Sequence, residues 1–205
     1  MIAFIQQAAV ILASRSPRRK YLLEQAGLEF EVIPSSFQES SIPLAAPEAY
    51  ATTLSRAKTD DIAARFPDRW IIGADTIVLI DGLILGKPKD PPSAREMLQR
   101  LSGETHQVFT GFTIRCLDRG ICHTEVVRSR VTLKALSKDE IKWYVRTQEP
   151  FDKAGAYAIQ GLGASLVRRI NGSYTNVVGL PVCEVVDFLI QQGVLAHFAA
   201  DDRLC

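Results

Sequence analysis

Apolar positions along the chain fall into two rhythms, short unbroken runs and longer stretches spaced by three or four. Residues 8–14 (AAVILAS) form a short unbroken apolar run and read as a buried strand. Ser16 then offers an N-cap and Pro17 a first helical position, so a helix is predicted from there to Gly27, a natural stop. Residues 30–34 (FEVIP) read as a second strand, and a helix follows Pro47 to about Arg65. Residues 70–80 (WIIGADTIVLI) form a long strand, ended by the Asp81-Gly82 hairpin signal ahead of LILG.

Beyond Pro91-Pro92, residues Ala94, Met97, Leu98 and Leu101 share one helical face. Two long strands are predicted next, at about 106–117 and 121–133, joined near Asp118-Arg119-Gly120. Ser137 and Glu140 form a capping box for a helix running through Val145. A stretch punctuated by glycine leads to a strand at 164–170 (ASLVRRI). Pro181 opens a last amphipathic helix with Val182, Val185, Val186 and Leu189 inward. Strands and helices alternate early and long antiparallel ribbons follow, which predicts an α/β fold with a mixed central sheet flanked by helices. Its two lobes should share that sheet. Residues 1–192 read as one domain and 193–205 as a weakly anchored tail.

Composition narrows the partners. The 24 basic and 23 acidic residues nearly cancel, which argues against a stable nucleic-acid partner. The basic residues cluster locally, which suits a small anion better. Cys116, Cys122, Cys183 and Cys205 show no zinc-ligand spacing. Cys116 and Cys122 could face each other across a hairpin, although reduced thiols suit a domain with its own core. The apolar start lacks a basic region before it, and no apolar run is long enough to span a bilayer, so a cytoplasmic location is expected.

Five places could carry chemistry. LASRSPRR (12–19) ends a strand and starts a helix; its backbone N–H groups, Ser14, Ser16, Arg18 and Arg19 would suit phosphate oxygens, or would simply be a capped, solvated helix start. Asp75, in GADT (73–76), interrupts an apolar strand. A carboxylate there is costly to bury without a cation, a metal or several donors, and is otherwise an exposed strand position. Lys87, in GKPKD (86–90), can be folded back toward Asp75 by the hairpin. Lys58 shares a helix stripe with Leu54 and Ile62, so it either snorkels to water or points into a polar recess. FDKAGAYAIQG (151–161) and INGSYTNVVGLP (170–181) let backbone approach a ligand closely. There Gln160 offers one acceptor and two donors, a complement to a uracil or thymine edge. Glu39 is an acidic candidate on its charge alone.

Taken in order, LASRSPRR, the acidic loop at Glu39, GADT, GKP, LSG (101–103), KAGAYAIQG and GSYTNVVGLP resemble the Maf family of nucleotide pyrophosphatases from Ile11 to about Leu189. Each motif is weak alone and the ordered set is specific. The resemblance implies a Maf / inosine triphosphate pyrophosphatase-like fold with an active-site cleft between two lobes. It also implies a divalent metal and hydrolysis of a nucleoside triphosphate between the α and β phosphates. By motif, Asp75 matches the family's catalytic acidic residue, and Ser14, Arg18, Arg19, Glu39, Lys58, Lys87 and Gln160 match its active-site positions. Arg18, Thr76 and Gln160 match the subfamily acting on dTTP and UTP, and not the one acting on 7-methyl-GTP. Two positions depart from the pattern: Arg15 stands where a small or polar residue is usual, and Gln38 where an acidic one often precedes Glu39.

The resulting expectation is a housecleaning hydrolase for pyrimidine nucleotides, with Asp75 and Lys87 catalytic. Ser14, Arg18, Arg19, Lys58, Thr76 and Gln160 would bind substrate, and Glu39 and Asp75 would hold Mg²⁺ or Mn²⁺. The rival readings are a non-enzymatic nucleotide- or nucleic-acid-binding protein of cell division, and a purine-specific pyrophosphatase. Monomer and homodimer stay open.

Overall fold

The computed structural model describes residues 4–39, 42 and 46–197. Its spine is strand β4 (Trp70–Ile80), which has the bounds expected from its apolar run. Strand β2 (Val10–Leu12) lies parallel to β4 on one side and to β3 (Phe30–Val32) on the other. The crossover between β2 and β3 is helix α1 (Pro17–Gln25), and between β3 and β4 it is α2 (Pro47–Ala63). On its other flank β4 pairs antiparallel with β6 (Thr105–Cys116) and, near its end, with β5 (Leu83–Leu85). Strand β6 continues into β7 (Ile121–Leu133), and β7 into β8 (Val167–Asn171), both antiparallel. The seven strands thus form one mixed sheet in the order β3-β2-β4-β6-β7-β8, with β5 attached to β4.

Successive side chains of β4 point to opposite faces. Trp70, Ile72 and Ala74 enter an apolar cluster with Leu23 of α1 and with Val185 and Leu189 of helix α6 (Val182–Gln191). Further along the same face, Val78 and Ile80 join a second cluster. It is built with Ala94 and Leu98 of helix α3 (Pro91–Leu101) and with Ile141 and Tyr144 of helix α4 (Lys138–Arg146). Each fully buried large side chain in these clusters contributes about 1.5–3 kcal/mol. Asp75 and Thr76 fall at the changeover between the clusters, so the polar break in the strand coincides with the seam between two packed lobes.

The opposite face of β4 carries α2 at close range. A Cβ on Gly73 would lie 2.1 Å from Thr59 Oγ1, and one on Gly111 of β6 would lie 2.5 Å from the backbone of Ala51. Buried hydroxyls stitch the contact: Ser55 Oγ and Thr113 Oγ1 are 3.0 Å apart, and Thr59 Oγ1 donates to Ser55 O. This approach brings Lys58 of α2 onto the strand beside Asp75.

Local signals set most boundaries. Ser16 caps α1, Asp81 and Gly82 take positive φ in the hairpin turn, and Ser137 and Glu140 form the expected capping box. Three features differ. The strand expected at 164–170 begins only at Val167, because residues 161–166 coil as a 3₁₀ turn. A short helix, α5 (Tyr174–Val178), interrupts the loop before α6. Residues 195–197, expected in a weakly anchored tail, form β9 (Leu195–His197) and pair antiparallel with β1 (Phe4–Gln6). The rest of that tail, 198–205, lies outside the described residues. The cysteine pairing across the β6–β7 hairpin is also excluded by register. Cys116 stands opposite Ile121 and Arg115 opposite Cys122, so one thiol is buried and the other exposed. Cys183 is free as well, and Cys205 is outside the described residues. No described helix is long and apolar enough to cross a membrane.

Candidate active site

A cleft of about 930 Å³ opens at the seam, and every candidate residue read from the sequence lines it: Ser14, Arg18, Arg19, Glu39, Lys58, Asp75, Thr76, Lys87 and Gln160. Lys58 does not snorkel. Its Nζ lies 2.6 Å from Asp75 Oδ1 and 2.7 Å from Glu39 Oε1, with only 13% of its side chain exposed. Asp75 is equally shielded, whereas Glu39 is 55% exposed. One ammonium therefore bridges two carboxylates that arrive from a strand and a loop, and the cluster keeps one net negative charge. Partial burial alone would raise the Glu39 carboxyl. The hydrogen bond and charge of Lys58, with the charges of Lys87 and Arg19, outweigh it and hold Glu39 below the ordinary carboxylate range.

The other wall is built around Arg19. Its Nε donates to Gly179 O at 2.6 Å, Nη1 to Ser14 Oγ at 3.3 Å and Nη2 to Thr76 Oγ1 at 3.1 Å. A guanidinium has five N–H donors, so two stay available for a ligand once these three are satisfied. Burial lowers the Arg19 pKa from its ordinary value, opposed by the charge of Asp75. Thr110 Oγ1 donates to Asn176 O, so the Thr76 hydroxyl is the donor toward its two acceptors, Thr110 Oγ1 at 3.0 Å and the more distant Gly179 O at 3.5 Å. The Thr76 hydroxyl proton is thereby committed, and its oxygen orients Arg19. Thr76 and Asp75 are consecutive, so they stand on opposite faces of β4 and serve opposite walls.

The helix-start anion site is narrower than the sequence suggests. Pro17 has no N–H, the Arg19 N–H goes to Ser16 Oγ, and the Lys20 N–H goes to Ser16 O. Ser14 Oγ accepts from Ser16 N–H and from Arg19, which leaves its own proton to donate. Side chains, more than backbone, make this an anion-binding corner. Arg18 reaches across the cleft, with Nη1 2.6 Å from Asp152 Oδ2 and Nη2 3.3 Å from Asp152 O. Lys153 is a second partner of the Asp152 carboxylate and also donates to Glu149 O at 2.7 Å. Neither Asp152 nor Lys153 is singled out by the sequence reading. Both sit in the FDKAG segment, and their signal was a paired Asp-Lys inside a motif already noted. Lys87 and Arg15 line the cleft, are exposed, and make no ion pair among the described residues.

The base of the cleft is formed by the segment that carries Tyr157 and Gln160. Tyr157 OH is 2.7 Å from His106 Nε2, and burial lowers the His106 pKa to about 4, so the ring is neutral. The Gln160 side chain makes no hydrogen bond among the described residues and lines the opening.

The model of the Maf-like protein family matches residues 9–192.

The chain belongs to the Maf-like protein family.

It is 52% identical over 194 residues to a dTTP/UTP pyrophosphatase of Syntrophus aciditrophicus (strain SB), covering 95% of this chain and 94% of that protein. It is 50% identical over 186 residues to a dTTP/UTP pyrophosphatase of Geotalea uraniireducens (strain Rf4), covering 91% and 96%. Among solved structures, the Staphylococcus aureus Ham1 protein aligns with 90% of this chain and 99% of its own, at 14% identity and a TM-score of 0.46. Of the two departures from the Maf pattern, Arg15 lines the cleft and adds charge beside Ser14 and Ser16. Gln38 lines it too, next to Glu39.

Proposed function

We propose that this Maf-like protein hydrolyses dTTP and UTP to the monophosphate and pyrophosphate, in the cytoplasm, as a nucleotide-pool housecleaning enzyme. The observation that carries the reading is the Asp75–Lys58–Glu39 cluster facing a corner of arginines in one cleft. A triphosphate needs charge neutralisation and positioning more than a covalent nucleophile. Arg18, the two remaining donors of Arg19, Ser14 and Lys87 supply cations and hydroxyl donors for its oxygens. Asp75 is the group placed to orient and deprotonate the attacking water. Nucleotide binding alone does not account for Asp75 within an apolar strand, because a bare carboxylate repels phosphate. The relatives' shared name, dTTP/UTP pyrophosphatase, supports the choice of substrates and of the bond.

The donor set fits a divalent metal. Asp75 and Glu39 already converge on one cation, and hard cations such as Mg²⁺ and Mn²⁺ take oxygen ligands. No group of three or more metal-ligating side chains occurs among the described residues. Two carboxylates therefore leave room for phosphate oxygens and water as the remaining ligands, a pattern usual for Mg²⁺. Bound there, the ion would neutralise phosphate charge and acidify water. Without the ion, Lys58 occupies the place between the two carboxylates that the metal would take, and Gln160 reads the base through its amide. The test is to quantify both products from UTP and dTTP, with and without EDTA. Monophosphate and pyrophosphate in equal amounts, lost with EDTA, are expected. Diphosphate and orthophosphate as first products would overturn the assignment of the bond.

A further inference from the structure

The turn that presents Gln160 is held from behind by two residues outside the cleft chemistry. Tyr144, on the last turn of α4, is fully buried. Its hydroxyl donates to Glu149 Oε1 at 2.8 Å and accepts the Ala158 N–H at 3.0 Å. Glu149 Oε1 also accepts the Gly163 N–H at 2.9 Å, and Oε2 accepts the Leu162 N–H at 3.0 Å. The network thus grips the chain two residues before Gln160 and again two and three residues after it. Packing confirms how tight the grip is: a Cβ on Gly163 would lie 2.5 Å from both the Tyr144 hydroxyl and Ala158 O.

We propose that Tyr144 and Glu149 are positioning residues for base selection, clamping the 158–163 turn at both ends so that Gln160 stands at a fixed place in the cleft. The inference rests on the reading of Gln160 as the residue that meets the base. Its physical ground is the cost of leaving buried N–H groups unpaired, which locks the turn's backbone to the clamp. Burial raises the Tyr144 pKa further above its ordinary value, assisted by Glu149, so the phenol keeps its proton to donate. Burial would raise the Glu149 carboxyl, but the N–H groups of Gly163 and Leu162, the Tyr144 hydroxyl and the charge of Lys153 hold it low, so it stays an acceptor. The clamp's anchor points at Ala158 and Gly163 are buried, but the chain held between them carries Gln160, whose side chain lines the cleft, and Leu162, 49% exposed. The Asp75 cluster shares no hydrogen bond with the clamp, and the link from Glu149 to Arg18 runs through its backbone carbonyl, Lys153 and Asp152, bonds that neither substitution below removes. Base reading and chemistry should therefore separate when the clamp is cut.

The test uses Tyr144→Phe, which removes one hydroxyl at nearly constant shape, and Glu149→Gln, which sets an amide donor against a backbone donor. Calorimetric affinities for UMP, AMP and inorganic pyrophosphate are measured beside UTP kinetics. For each folded variant, UMP affinity is expected to fall about tenfold, the scale of one lost hydrogen-bonded anchor. Pyrophosphate affinity should hold, UTP KM should rise, and kcat should stay within about threefold. Equal losses for UMP and pyrophosphate would mean general loosening and overturn the inference, as would unchanged UMP affinity. Should Glu149→Gln fail to fold, the near-isosteric Tyr144→Phe decides alone. A wild-type protein that binds UMP no better than AMP would instead sink the Gln160 reading, and the clamp's role with it.

Discussion

Replacing Lys58 by methionine keeps most of the side chain's bulk and removes the ammonium shared by Asp75 and Glu39. The two contacts differ in worth. Breaking the Lys58–Asp75 pair, with both side chains 13% exposed, leaves a shielded carboxylate without its partner, which costs about 2–4 kcal/mol after allowing for residual solvent. Glu39 is 55% exposed, so its share is about 1 kcal/mol or less. The sum, about 3 kcal/mol, corresponds to a melting temperature lower by roughly 6–12 °C for a chain of this size. The pH dependence in EDTA has a definite sign. In the wild type the Glu39 pKa is held below its ordinary value, so its stabilisation is present above that ordinary value and lost as pH falls through the lowered one. In the variant Glu39 loses the ammonium that holds its carboxyl low, so the gap between the proteins should be widest at neutral pH and narrow as pH falls below the ordinary glutamate range. Added Mn²⁺ should raise the variant's melting temperature more than the wild type's, because the metal no longer competes with an ammonium for the same oxygens. Equal Mn²⁺ shifts in the two proteins would refute the placing of metal and ammonium on one pair of carboxylates.

Asp75→Asn keeps an oxygen to accept from Lys58 and removes the negative charge, so the fold should survive while turnover falls about 10²-fold or more, the scale of a lost general base. Melting curves and kcat for UTP check this, and near-normal turnover would make Asp75 a structural residue. Gln160→Glu should set a carboxylate against a base carbonyl, at a cost of about 1–3 kcal/mol and one to two orders of magnitude in kcat/KM for UTP and dTTP. The ratio of purine to pyrimidine turnover should rise with it. An equal loss for every nucleotide would show that Gln160 serves something other than the base.

These residues also show which interactions a sequence can disclose. The caps at Ser16 and Ser137, the Asp81-Gly82 turn and the bounds of β4 are legible because each depends on neighbours within a few positions. The strand expected from Ala164 fails for a reason no window around it contains. The N–H groups of Leu162 and Gly163 go to the Glu149 carboxylate, so the chain turns there before it can join a ladder. Strands β1 and β9 are three residues each, too short for a period to register, and they form because segments about 190 positions apart pair with each other. In the site, charge and motif order bring the right side chains to one cleft, but not their partners. Asp152 is 134 positions from Arg18, and Gly179 is 160 from Arg19.

Thr76 is the instructive position, because the information needed to place it was present. Strand alternation sends Asp75 and Thr76 to opposite faces, so they could not both meet the same part of a ligand. Asp75 meets Lys58 because two glycines let α2 lie against its face. Thr76 meets Arg19 because the other face is where α1 and Gly179 approach. Its proton is taken up by Thr110 and Gly179 O, and its oxygen accepts from Arg19. Under the proposed function, a residue matched to the base-reading set by motif would thus act on the nucleotide through the arginine it aims, and Gln160, with no side-chain partner of its own among the described residues, would be the group to meet the base directly.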